Sequence, residues 1–410
     1  MAPFPISLAQ YLGHWGSYVV YLLIGIGFGI ALEVSGFGDS RRLAAQFYFK
    51  DMTVLKVMFT AIVVAMVLIF GASAVGLLDY NLVWVNPTYL WPGIVGGLVM
   101  GVGFIIGGFC PGTSVVSAAS GKVDGLFFVL GALVGIFAFG ETVGLYENFW
   151  YSSYMGRFTL MDLFNANTGI IVVGVVLMAL FMFWGSEQLE GIFGGKDVKA
   201  MPKWRYGAAG GLLALAVVVM VIGQPTAADH WARIAPQKEA QLAERAVQVH
   251  PGELLSLLYD SHVRVTMLDV RSESDYNLFH IEDARHVPLA DLFDVVPELQ
   301  AQPDNTVTIV MSNDETAATE AWRTLESYSV PNAYILEGGI NNWIATFGED
   351  EFSRISQSTS TDSLQYFFET ALGSRYPASA PEARAIEGLE FPSKVELQIK
   401  RGPIGSGCGA

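Results

Sequence analysis

Cysteine is nearly missing from this chain: only Cys110 and Cys408 occur in 410 residues. Two thiols so far apart do not make a disulfide scaffold, and together with six histidines they show no metal-ligand spacing. No metal or other cofactor is implied. Charge is scarce too. It amounts to 15% of residues, against roughly 25% in soluble domains, and mean hydropathy is +0.41, which excludes an ordinary soluble globule. Positive charge is the scarcest, with 23 Lys and Arg against 39 Asp and Glu. Residues 1–224 are nearly neutral, with 10 basic and 11 acidic side chains, so 225–410 carries almost the whole net charge of −16. An acidic soluble half excludes nucleic acid and anionic lipid as its partners.

The near-neutral half contains long apolar runs. Six reach the roughly 17–25 residues needed to cross a bilayer, at about 17–35, 54–73, 92–110, 123–145, 166–185 and 206–224. Two shorter stretches, 40–50 and 112–121, each follow a Gly-rich turn and are expected to be re-entrant segments, which survive only where they line a cavity or pack in protein. No cleavable signal is evident, and Ala2–Gly16, with Pro3 and Pro5, fits a short interfacial helix. Arg41, Arg42, Lys50, Lys122, Lys196, Lys199, Lys203 and Arg205 fall on one side of the predicted spans, with Arg157 alone on the other. The Lys/Arg-rich side is cytoplasmic, so the N-terminus and the entire acidic half are predicted to be extracytoplasmic.

The membrane half repeats itself at an offset of about 72 residues. Gly25 and Gly29 align with Gly97 and Gly101, Gly36-Phe37-Gly38 with Gly108-Phe109-Cys110, and Lys50 with Lys122. Each unit reads as span, Gly-Phe turn, short helix, span. Both units start on the same side, and their turns are expected to approach each other as broken helices do at substrate sites. Glycines around Cys110 leave its sulfur accessible, whereas an inert cysteine is usually packed among larger apolar residues. Pro111-Gly112-Thr113-Ser114 follow, at the start of a helix whose backbone N–H groups favour an anion. Charges in or beside spans are functional candidates by default, here Glu33, Asp39 and Glu141. Asp39 is equally placed to pair with Arg41 and Arg42 at the rim, and Glu33 and Glu141 to sit at span ends.

This repeated glycine-rich segment resembles the YeeE/YedE sulfur-transport family over about residues 15–185. The resemblance implies a pathway for thiosulfate or a related reduced sulfur species in a prokaryotic inner membrane. It also implies that Cys110 contacts the sulfur at the constriction, a role Gly38 has lost with its thiol. The candidate sulfur-contacting set is Cys110 with Gly108, Phe109, Gly112, Thr113 and Ser114, and Gly36 and Gly38 of the first unit. Members of full length have about twice as many spans, so the resemblance further implies a homodimer.

In the acidic half, 225–246 reads as a polar helical linker. Strands at Val263–Val270, Val307–Met311 and Ala333–Leu336 then alternate with helices such as Ala317–Tyr328, indicating an α/β domain with a mainly parallel sheet. Leu268-Asp269-Val270-Arg271, Asp275-Tyr276, His280-Ile281, Val287-Pro288-Leu289 and Glu337-Gly338-Gly339-Ile340-Asn341-Asn342-Trp343 together resemble the rhodanese fold over 247–350. Asp269 and Arg271 then belong to its framework. The resemblance places a nucleophilic cysteine after Met311, but this chain has Ser312, followed by Asn313, Asp314, Glu315, Thr316 and Ala317. A hydroxyl cannot form a persulfide and is a poor nucleophile without an adjacent base, so no self-sufficient sulfurtransferase is expected. Asp314 and Glu315 also make the loop negative.

The tail, 351–410, runs through a Ser/Thr-rich stretch, an amphipathic segment Leu364–Leu372 and an edge-strand pattern at Val395–Ile399, and it closes on Gly405-Ser406-Gly407-Cys408-Gly409-Ala410. This ending resembles the swinging arm of SoxY-type sulfur carriers, which implies that Cys408 relays covalent sulfur. The fold class is thus a six-span helical membrane domain (1–224) with two re-entrant helices and a parallel repeat, a linker, a rhodanese-like domain and a cysteine arm. The leading expectation is sulfur transport coupled to an extracytoplasmic relay, with a periplasmic sulfur-carrier or sulfur-oxidation protein as a further partner. The alternative is a membrane-anchored carrier that delivers sulfane sulfur without net transport.

Overall fold

A computed structural model describes residues 4–6, 8–195, 203–303, 305–348, 352–355, 362–368 and 378–397. Cys408, Lys196 and Lys199 lie outside the described residues. Six helices are long and apolar enough to span a membrane, and the chain is a multi-pass membrane protein. Helix α1 (Leu8–Val34) is broken at Gly13, whose φ is +66°, so a short helical piece precedes the long one within the stretch predicted as an interfacial helix, while Phe4–Ile6 are not helical. It is followed by α2 (Ser40–Ala45) with a 3-10 turn at Gln46–Tyr48, then α3 (Thr53–Ala74). The second unit has the same plan: α4 (Leu90–Gly107), α5 (Pro111–Ala119) and α6 (Val123–Thr142). Two short helices, α7 (Glu147–Trp150) and α8 (Leu160–Phe164), precede α9 (Thr168–Phe193), which runs eight residues past its predicted end, and α10 (Trp204–Ile222).

Helices α3, α9 and α10 form a compact bundle around Val63, Val67, Phe70, Val172, Val176, Ala179, Ala216 and Val219. A Cβ on Gly169 would come within 2.6 Å of the Met220 Cα. Glycine there lets α9 and α10 approach closely, and in lipid close packing replaces the hydrophobic effect as the source of helix association. At the α3 N-terminus, the buried Glu190 of α9 accepts the Met52 N–H at 2.7 Å and pairs with Lys56. A capping carboxylate and its cation thus fix α3 to α9.

Linker helix α11 (Ala227–Ala243) opens with a capping box in which Thr226 and Asp229 exchange hydrogen bonds. The α/β domain then runs β1 (Gln248–Val249), α12 (Pro251–Leu258), β2 (Arg264–Asp269), α13 (Glu273–Leu278), β3 (Arg285–His286), α14 (Leu292–Gln300), β4 (Thr306–Met311), α15 (Thr316–Ser327), β5 (Ala333–Leu336) and α16 (Gly339–Phe347). Its five strands are all parallel in the order β1-β5-β4-β2-β3. Every residue of β4 is buried, as a central strand covered by helices on both faces requires. Beyond the sheet, β6 (Ser353–Arg354) and β7 (Tyr366–Phe367) pair antiparallel.

In the predicted amphipathic segment the described residues include β7, where Tyr366 and Phe368 are buried and Phe367 exposed, the alternation of a strand. Residues 369–372 lie outside the described set. The predicted edge strand joins no ladder within 395–397. The N–H groups of Lys394 and Val395 are both accepted by the Glu253 carboxylate at 2.8 Å.

Candidate functional site

The two Gly-Phe turns are built alike. Gly36 (φ +81°) ends α1 with Gly36 N–H bonded to Glu33 O and Phe37 N–H to Leu32 O, a Schellman pattern. Gly108 (φ +70°) ends α4 with its N–H bonded to Phe104 O. Such left-handed positions favour glycine because any Cβ crowds the following carbonyl. Each turn drives its phenylalanine inward, so Phe37 and Phe109 are both buried and share one cluster with Leu43 and Val54. Phe109 also meets the Phe128 ring edge-on at 5.8 Å. The turns therefore lie side by side, and a Cβ on Gly108 would sit 3.2 Å from the Ser40 Cβ.

Cys110 is the N-cap of α5. Its half-buried sulfur accepts from the Thr113 N–H at 3.4 Å and from the Thr113 hydroxyl at 3.3 Å, while Thr113 Oγ1 accepts the Cys110 N–H at 2.9 Å. Thr113 and Ser114 are buried, and Ser114 Oγ donates to Pro111 O at 2.7 Å. Gly112 lies exposed in the first turn. A polarisable sulfur thus stands at the partly positive end of a helix dipole. In the first unit, Gly38 occupies the equivalent place, where its carbonyl accepts Lys122 Nζ at 2.9 Å. A Cβ there would meet the Glu33 carboxylate at 2.4 Å and Lys122 Nζ at 3.0 Å, so the missing thiol leaves room for this ion pair. Of the other acidic candidates, Asp39 caps α2 by accepting the Arg41 backbone N–H, and Glu141 is exposed near the end of α6.

The soluble domain packs on the membrane domain through the loops that follow α3 and α8's preceding turn. Ser329 Oγ donates to Asp79 Oδ2 at 2.6 Å, and His230 Nε2 lies 3.2 Å from the same oxygen. Burial would raise the Asp79 carboxyl, but these bonds outweigh it and hold the group below the ordinary 3.8. Arg157, the basic residue predicted to stand alone on this side, donates to Gln300 Oε1 at 2.6 Å and Tyr80 O at 3.1 Å. Gln300 is the last residue of α14, and Ser329 follows the C-terminal end of α15. These lie at the opposite end of the sheet from the 312–317 loop, which follows the C-terminal end of β4.

At that far end, Arg271 and Asp269 form a fully buried pair at 2.6 Å. Arg271 also donates to Phe279 O at 2.6 Å and Asn313 Oδ1 at 3.2 Å, which holds the loop in place. Ser312 is fully buried, and its hydroxyl donates to Asp314 O and accepts from the Ala318 N–H. The loop's negative charge is consumed internally. Glu315 accepts the Gly338 N–H and pairs with Arg245, while Asp314 accepts from Thr316 at 2.6 Å. Thr316 starts α15, and the half-buried Ala317 packs on the core. Ile340 and Asn341 also meet this loop through their backbone N–H groups, and Asp275 and Asp362 through their carboxylates. Asn341 lay within the recognised motif, whereas nothing in the sequence around Asp362 marks it. Among the described residues, no three His, Cys, Asp or Glu side chains converge as a metal site.

With this geometry in place, comparison with known proteins defines the class: a sulphur-transport membrane domain carrying a rhodanese-like domain. Residues 34–235 match the sulphur transport family and residues 250–346 the rhodanese-like domain. Thiosulfate transporter TsuA of Spirochaeta thermophila is 26% identical over 212 residues, 47% of this chain and 59% of that protein. The probable transporter YedE of Escherichia coli is 25% identical over 170 residues, 39% of each chain. The chain thus spans well under two thirds of the length of these curated relatives. The crystal structure of the Alr3790 protein from Anabaena sp. shares 26% identity over 24% of this chain and 85% of its own, with a TM-score of 0.21.

Proposed function

We propose that the protein conducts thiosulfate or a related reduced sulfur species across a prokaryotic inner membrane, with Cys110 as the contact point for the sulfur. The observation that carries this reading is the pairing of the two Gly-Phe turns, which sets one thiol at a helix N-terminus inside the segment matching the sulphur transport family. Gly36, Gly38, Gly108 and Phe109 shape the paired turns, Thr113 donates to the sulfur, and Gly112 and Ser114 complete the first turn of the helix that it caps. A relative named a thiosulfate transporter supports the substrate class. The predicted orientation puts the rhodanese-like domain in the periplasm, a second copy completes the assembly, and Cys408 relays sulfur to or from a periplasmic carrier. Ser312, buried and bonded on both sides, does no nucleophilic chemistry.

Uptake of radiolabelled thiosulfate into proteoliposomes tests the central claim. Cys110→Ala should reduce initial uptake at least tenfold, and Cys110→Ser, which keeps the cap but not the soft sulfur, should recover little of it. Uptake by Cys110→Ala at the wild-type rate would refute the pore role. Mass spectrometry of the C-terminal peptide after thiosulfate exposure separates the carrier alternative, which requires a sulfur adduct on Cys408 without net uptake.

A further inference from the structure

The loop that has lost its nucleophile is occupied by the chain itself. Residues 362–368 run across it, and the contact is reciprocal. Asp314 N–H donates to Asp362 Oδ1 at 2.9 Å, and Asp362 N–H donates to Asp314 Oδ2 at 3.1 Å. Asn313 Nδ2 adds a bond to Asp362 O at 3.0 Å while its other proton goes to Asp275 Oδ2 at 2.9 Å. One step further out, Asn341 holds the segment from both sides of its amide. Its Nδ2 donates to Ser363 O at 2.9 Å and its Oδ1 accepts Gln365 N–H at 2.8 Å. Phe368 then packs against the Phe279 and Phe352 rings, and Tyr366 is buried in the same core.

These contacts depend on how the loop is supported. Gly339 (φ +62°) lets α16 press against it, and a Cβ there would lie 2.0 Å from Asp314 O. Ile340 N–H bonds Ser312 O and Asn341 N–H bonds Asn313 O, so loop and α16 form one rigid seat. Into that seat the segment inserts a carboxylate, which takes a backbone N–H of the loop.

We propose that the 312–317 loop and Asn341 form a clasp for the chain's own segment 362–368, with the Asp362 carboxylate as its bound ligand. The clasp has two consequences. It closes the end of the domain that faces away from the membrane, so no outside sulfur donor reaches Ser312 while the segment is seated. It also anchors the C-terminal stretch on the domain, giving a site without a nucleophile a mechanical task. This inference does not rest on the transport reading, and each can fail alone.

Hydrogen–deuterium exchange on the full-length chain in detergent micelles tests it. In Asp362→Ala, amides of peptides covering 312–318 and 363–368 should exchange at least tenfold faster than in wild type. Asp362→Asn keeps an oxygen acceptor for the Asp314 N–H and should stay within about twofold of wild type. Amides of β4 should be unchanged in all three proteins. Unchanged exchange of 312–318 in Asp362→Ala would overturn the clasp. So would equal acceleration in both variants, or acceleration extending equally through β4, which would make the segment a general support of the fold.

Discussion

At the scale of single residues, the two halves of the chain treat ionisable side chains in opposite ways. In the membrane half charges gather at helix ends, where Glu190 caps α3 and Lys122 bridges to Glu33 and Gly38. In the soluble half one pair is taken fully inside, and Arg271 spends its guanidinium on Asp269, Phe279 O and Asn313. Removing one member of such a pair leaves a buried charge uncompensated, a loss of about 3–5 kcal/mol. Arg271→Ala should therefore lower the stability of the soluble domain by that amount, read as an earlier thermal transition of the full-length chain. The loop should loosen with it, because Asn313 loses its positioning donor. A variant that melts with wild type would show that Asp269 finds another partner or a proton. Ser312 carries a smaller role than its motif position suggested: its hydroxyl serves the loop's internal hydrogen bonds.

At the scale of elements, the turns and the clasp are each sensitive to one change. Gly108 combines a left-handed φ of +70° with the close approach of Ser40, so alanine there meets both strain and crowding. Gly108→Ala should cost about 1–2 kcal/mol, whereas Gly174→Ala, within α9 with nothing near its Cβ position, should be neutral or stabilising by about 0.5–1 kcal/mol. Thermal unfolding of the two variants side by side checks the difference. The clasp should respond to pH in both directions. Burial, and then the facing Asp314, push the Asp362 carboxyl above 3.8 against the pull of the Asp314 N–H. Burial would raise Asp314 as well, but the Thr316 N–H and Asp362 hold it below that value. The other charges around the pair are Asp275 and Arg271, both acting through Asn313. A raised group contributes stability in full below 3.8 and loses it as pH rises through its folded value, and a lowered group loses its share as pH falls below 3.8. Protection factors for 312–318 should thus peak near pH 4 and fall toward pH 7, and a steady rise toward pH 7 would contradict the assignment. Much of this was readable beforehand: apolar length located six spans, the 72-residue repeat located both turns, and β-branched runs located three strands. The short strands β1 and β3 escaped because two residues carry no periodicity. The Asp362 contact escaped because the bonds join positions 48 residues apart, and no local pattern encodes them.

At the scale of the whole molecule, packing in the membrane half is lopsided. In the best spanning windows of α3 and α9, 22% is buried within the chain, against 6% in α1 and α6 and 11% in α10 and the α4–α5 window. Lipid covers apolar side chains as well as protein does, so exposure alone asks for no partner. Glycine differs, because bare backbone gains in lipid chiefly by close approach of another helix. Gly25, Gly27 and Gly29 of α1, Gly97, Gly101 and Gly103 of α4, and Gly131 and Gly135 of α6 all have open space where a side chain would be. These helices also frame α5 and Cys110, whereas α9 and α10 pack in a separate core with the middle of α3, whose first turns reach the cysteine turn through Val54 and Val57. A second copy, set against the glycine faces of α1, α4 and α6, would enclose the cysteine turn with the same elements related by symmetry. The proposed homodimer then has a definite surface, and mass photometry in lipid nanodiscs should return a protein mass of twice 44.5 kDa. Replacing Gly97 and Gly101 by Leu, bulky on that surface but clear of the chain's own core, should shift the mass toward that of one chain and lower thiosulfate uptake with it. A single-chain mass for the wild type, with uptake intact, would mean that lipid alone covers these faces and that one copy is the working unit.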